Sequence, residues 1–151
     1  MSDLLRSPAL ADFSWFVRWL LSWLALGVGI LGISAVWLAL ALLSDSPCSW
    51  LALVAAADMA LMLRLTQAPP GRTRQLVATL ATALAVAISQ WLIVATHLGQ
   101  ALGLTPLDSA RRLGPVLAWA MTLLNLHAAD WWLILISLPL AAWWAGQGEK
   151  I

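Results

Sequence analysis

From Gln75 to Leu107 the chain runs for thirty-three residues without an Asp, Glu, Lys or Arg. A soluble helix of that length would have no face to offer water, whereas a bilayer needs roughly 20 such residues for one crossing. Three more apolar stretches surround it. Residues 19–44 carry no charge, residues 48–65 carry only Asp58 and Arg64, and residues 116–144 carry only Asp130. The pattern predicts an all-α integral membrane protein. Its expected form is a four-transmembrane-helix bundle with spans at 13–43, 48–65, 76–104 and 116–144.

The breaks between spans carry recognisable turn chemistry. Ser44-Asp45-Ser46-Pro47 separates the first two spans. Gln67-Ala68-Pro69-Pro70-Gly71 ends the second, because adjacent prolines remove two amide donors. Thr105-Pro106-Leu107-Asp108 reads as a helix start, with Thr as N-cap, Pro in the first turn and Asp at the third position. It opens a short amphipathic turn through Arg111 and Arg112, which Gly114-Pro115 stops. The first uncharged stretch is longer than a signal peptide's apolar region of roughly 7–15 residues and shows no clear cleavage site, so it reads as a retained span.

These spans leave little over. A single membrane domain over 1–151 is expected, since no loop is long enough for a soluble catalytic domain. Hydrophobic residues make up 62% of the chain and charged ones 10%, with a mean hydropathy of +0.88. A net charge of +1 provides no basic face for nucleic acid. The lone Cys48 rules out an internal disulfide. No Gly-x-Ser-x-Gly, His-Glu-x-x-His or phosphate-binding glycine loop occurs. Gly27-Val28-Gly29-Ile30-Leu31-Gly32 spells a dinucleotide fingerprint, but mid-span and with no strand before it. A non-enzymatic protein without cofactor is therefore expected.

Basic residues orient the chain through their excess on cytoplasmic loops. Arg6 and Arg18 lie near the N-terminus, Arg64, Arg72 and Arg74 around the second loop, and Lys150 at the C-terminus. Only Arg111 and Arg112 fall on the third loop and none on the first, so both termini are expected inside. Arg111 and Arg112 would then contact lipid headgroup phosphates. Seven Arg against one Lys, with abundant Ala, Leu and Trp, suits a GC-rich bacterial genome and an inner membrane. Trp15, Trp19, Trp143 and Trp144 would mark the inner interface and Trp50 and Trp119 the outer, while Trp91, Trp131 and Trp132 fall near mid-membrane.

In lipid, helices associate through small residues and polar bonds. The first span offers Ser22, Ala25, Gly29 and Gly32 as a seam, continued at Ala39. The third offers Thr79, Thr82, Ser89 and Thr96 on a heptad stripe, continued at Gln100. That stripe is either packing glue or the wall of a polar pathway.

Charged groups inside a span are functional hypotheses by default. Asp58 lies about 9 Å inside the inner boundary by helix rise, where Arg18 or the threonines of the third span offer partners. His127 and Asp130 stand at i, i+3 in what reads as the middle of one long fourth helix, at a depth expected to lie near that of Asp58. Such a set fits either a proton or cation site or a structural pair. His97 and His127 on facing spans invite a bis-histidine haem, but their expected depths differ by roughly 6 Å.

The leading expectation is a small inner-membrane protein acting as a non-catalytic subunit or scaffold. Its partners would be lipids and either other membrane subunits or copies of itself. The alternative is a small transporter or ion-coupling subunit using Asp58, His127 and Asp130. A haem-b, lipid or quinone carrier comes third. The sequence names neither a partner nor a solute.

Overall fold

A computed structural model describes residues 8–69, 71–103, 105–112 and 114–147, without the side chains of 8–15, 106 and 107. Arg6 and Lys150, and the side chain of Trp15, fall outside it. The described residues form six helices and no strand: α1 (Pro8–Ser44), α2 (Leu51–Leu65), α3 (Arg72–Leu102), α4 (Pro106–Arg112), α5 (Pro115–Asn125) and α6 (Ala128–Gly146). Three are long and apolar enough to cross a membrane: α1 over Phe16–Ser44, α3 and α6. The all-helical, membrane-type expectation holds at that level.

The second predicted span is shorter than its apolar run. Cys48 takes a positive φ of 44°, and Cys48–Trp50 wind into a turn that precedes the 15-residue α2. Leu51 N–H donates to the Cys48 carbonyl at 2.9 Å there. Alanines and a few large side chains bury α2 against α1, α3 and α6, with Ala52, Ala55, Ala56, Met59 and Leu63 inaccessible. Alanine suits this place because it lets backbones approach closely.

The chain ends of these helices fix their directions. Ser22 near the start of α1 shares a 2.8 Å hydrogen bond with Thr66 just past α2. Arg64 donates to the Trp144 carbonyl, and Gly146 packs on the Gln75 side chain. At the far end, the fully buried Trp37 donates its indole N–H to the Pro47 carbonyl at 2.9 Å. So α1 and α3 run one way, and α2 and α6 the other.

The buried residues on α1 are Ser22, Leu26, Gly29, Ile30, Ile33, Ser34, Trp37 and Ala41. This corrects part of the predicted seam. Ser22 and Gly29 face inward and Ala25 is half-buried, but Gly32 is exposed and a side-chain carbon there would meet nothing within 4 Å. Three residues advance a helix by about 300°, which turns Gly32 some 60° off the Gly29 row. Large residues, Leu26, Ile30, Ile33 and Trp37, share this interface with the small ones.

The fourth predicted span, 116–144, is also corrected: it is two helices. α5 ends at Asn125, Leu126 and His127 are extended, and α6 starts at Ala128. α4 and α5 fold back along the C-terminal third of α3. There Trp91 donates its indole N–H to the Ala110 carbonyl at 3.4 Å, and Ala118 packs with Val94 and Ala95. The short turn before them forms as expected. Thr105 Oγ1 accepts the Asp108 N–H at 3.2 Å and donates to its carboxylate at 2.7 Å.

Candidate functional site

The break between α5 and α6 explains the most suggestive pair in the sequence. Asp130 Oδ2 accepts the backbone N–H of His127 at 2.8 Å, and the His127 imidazole Nδ1 lies 3.6 Å from the same oxygen. His127 is the N-cap of α6 and Asp130 its third residue, the reciprocal arrangement of a capping box. The His127 side chain is 87% exposed and that of Asp130 16%. The i, i+3 spacing read as one face of a continuous helix is thus the spacing of a helix start. A carboxylate in a first turn also faces the positive end of the helix dipole.

Asp58 sits elsewhere. It is half-buried on the α1-facing edge of α2, and its Oδ2 would lie 3.3 Å from a side-chain carbon at Gly29. Among the described residues it forms no ion pair, so the expected link to Arg18 is not made. Nor do the two carboxylates share a level. Arg64 reaches Trp144, Asp58 precedes Arg64 by six residues and Asp130 precedes Trp144 by fourteen. At about 1.5 Å per residue they stand roughly 12 Å apart along the helices.

The hydroxyl stripe of α3 lies on the interior side of the helix. Thr82, Ser89 and Thr96 are buried, and Thr79 is half-buried. Each donates to the carbonyl four residues back: Thr79 to Gln75, Thr82 to Ala78, Ser89 to Ala85 and Thr96 to Leu92, all at 2.7–2.9 Å. Such back-bonding satisfies the hydroxyl inside its own helix. Across helices, Ser34 donates to the Ala85 carbonyl at 3.5 Å.

The histidines are not brought together as haem ligands. His97 is exposed on α3 and lines a small cleft with Leu98, Met121 and Asn125, a lining that does not include His127. Arg111 and Arg112 are exposed at the end of α4, on the outside of the fold.

A different feature was not singled out by the sequence. Between α3, α5 and α6 lies a cleft of about 300 Å³, walled by Trp91, Trp119 and Trp131 and floored by Val86, Ile134 and Leu138. Trp119 and Trp131 meet edge to face, with ring centroids 6.0 Å apart and planes at 67°. The shared depth expected for Trp91 and Trp131 thus becomes a shared cleft wall, while Trp132 points outward, 66% exposed. The cleft's polar lining is Gln90 and Thr122. Thr122 donates to the Ala118 carbonyl at 2.8 Å. Gln90 is only 7% exposed, and its Nε2 has no hydrogen-bond partner among the described residues. The Gln90-Trp91 dipeptide was the available signal. Its meaning depends on the α5–α6 break, which brings Trp119 and Trp131 opposite it and which an unbroken apolar run conceals.

No protein-family model, no curated protein and no solved structure matches the chain.

Proposed function

We propose that this chain is a multi-pass membrane protein that acts as a non-catalytic subunit, packing against other membrane polypeptides or against copies of itself. The observation that carries this reading is where the interior polar groups spend their bonds. The hydroxyls of Thr79, Thr82, Ser89, Thr96, Thr122 and Ser137 all donate to backbone carbonyls of their own helices. His127 and Asp130 are spent on a helix cap. Polar content of this kind holds helices in register and leaves little to line a pathway for a solute.

The same reading makes α2 a fourth, short crossing and places the protein in a bacterial inner membrane with both termini inside. Support comes from the grouping of Arg18, Arg64, Arg72 and Arg74 at the end of the fold where α1 and α3 begin and α2 ends. Arg111 and Arg112, at the other end, would meet headgroup phosphates. The partner-facing surface is the outward row Gly32, Ala35 and Ala39 on α1, small residues that gain nothing from acyl chains but admit another helix.

Gly27 and Gly32 provide the test, since a side-chain carbon at either meets nothing within 4 Å in the isolated chain. Gly32→Leu should abolish co-purification of partners, or crosslinking between copies, in mild detergent. Gly27→Leu, on another face, should leave the complex intact. Equal behaviour of the two variants overturns the reading.

A further inference from the structure

We infer that the cleft between α3, α5 and α6 is a binding site for a lipophilic quinone: a flat conjugated ring bearing carbonyl oxygens, with an apolar tail. The inference rests on the membrane setting proposed above but not on subunit packing. Three observations converge on it.

The first is the Gln90 amide. It is more than nine-tenths buried, belongs to the cleft wall and leaves its Nε2 without a partner. A buried amide that forms no hydrogen bond is costly, and more so where lipid rather than water surrounds the helices. Nε2 is closed off where it stands, but a turn of the amide about its last bond would present an N–H to a carbonyl oxygen inside the cleft. The indole N–H of Trp91 is already committed to Ala110, and the Thr122 hydroxyl to Ala118, which leaves Gln90 and the indole N–H groups of Trp119 and Trp131 as the donors of the cleft lining.

The second is the shape of the aromatic wall. Trp119 and Trp131 stand at 67° to each other and Trp91 closes the far side. Indole faces are electron-rich, and an electron-poor ring stacks on one and meets the edge of the next. A saturated acyl chain gains nothing from that arrangement. A volume of about 300 Å³ matches the lower end of small-molecule sites.

The third is the opening. Ala87 and Trp119, on the cleft rim, are exposed on the outer surface of the helices. A tail would leave sideways, into lipid, without crossing the protein.

A phospholipid ester offers the same carbonyl acceptor, so the experiment separates the two. Purified protein in phosphatidylcholine nanodiscs is titrated with a decyl-tailed benzoquinone, and bound quinone is counted against empty discs. Saturable binding near one per chain is expected. Gln90→Leu should weaken it about tenfold, the effect of one lost hydrogen bond. Ala87→Phe, which fills the rim without removing a buried contact, should block it, so the outcome does not hang on Gln90→Leu folding. Decylbenzene, which lacks the carbonyl, should not compete. The inference is overturned by quinone retention no greater than in empty discs, by phospholipid that quinone does not displace, by equal competition from decylbenzene, or by unchanged affinity in both variants. None of these readouts depends on whether the chain assembles with a partner.

Discussion

Asp130 holds the backbone N–H of His127 at 2.8 Å, and that bond starts α6. Replacing the carboxylate should therefore act as the loss of a helix cap. Asp130→Ala should lower stability by about 1 kcal/mol, within the usual range for lost caps. Asp130→Asn, which still accepts a bond, should lose less. Thermal unfolding in detergent checks both. An equal loss in the two variants would mean that the charge, not the accepted bond, matters.

Gly29 packs closely against α2. A side-chain carbon there would lie 3.0 Å from Met59 Cε and 3.4 Å from Met62 Cγ. Both neighbours are flexible, so Gly29→Ala should cost little. Gly29→Leu should cost about 1–3 kcal/mol by overpacking. Gly27→Leu, which meets nothing, serves as the reference in the same melting experiment.

Trp37 ties the end of α1 to the loop before α2 through Pro47. Trp37→Phe keeps much of the buried volume but strands the Pro47 carbonyl, so a loss of about 1–2 kcal/mol is expected. Trp37→Ala should cost about 3–5 kcal/mol. Denaturant unfolding followed by circular dichroism reads both, and an unchanged stability in Trp37→Phe would show that the hydrogen bond contributes nothing.

Ser46 and Gln67 lie exposed at opposite ends of the fold. In a Cys48→Ser background, Ser46→Cys should react with an impermeant thiol reagent added to intact cells, and Gln67→Cys only after lysis. The reverse pattern would invert the proposed orientation.

Much of the fold was legible because lipid demands long apolar runs, and α1 and α3 announce themselves by length. The α4 cap was legible too, since Thr105, Pro106 and Asp108 form a local motif that needs no tertiary context. The α5–α6 break was not. Hydropathy is blind to a cap made by His and Asp, and Leu126 keeps the apolar run unbroken. Missing the break placed Asp130 mid-helix and hid the cleft, because Trp119 and Trp131 meet only when the chain bends between them. The α1 seam was half legible: small residues marked Gly29, but Leu26, Ile33 and Trp37 turned the buried row away from Gly32.

The brevity of α2 has a consequence for the surrounding lipid. At 15 residues it is about 22 Å long, against roughly 30 Å of hydrocarbon. With α2 as the proposed fourth crossing, a bilayer that accommodates α1 and α3 would thin locally beside it. Headgroups and water would be drawn inward along its outer side, toward the half-buried Asp58. The carboxylate then keeps part of its hydration within a nominally dry layer, and the protein carries a built-in dimple in the membrane where other polar chains would preferentially gather.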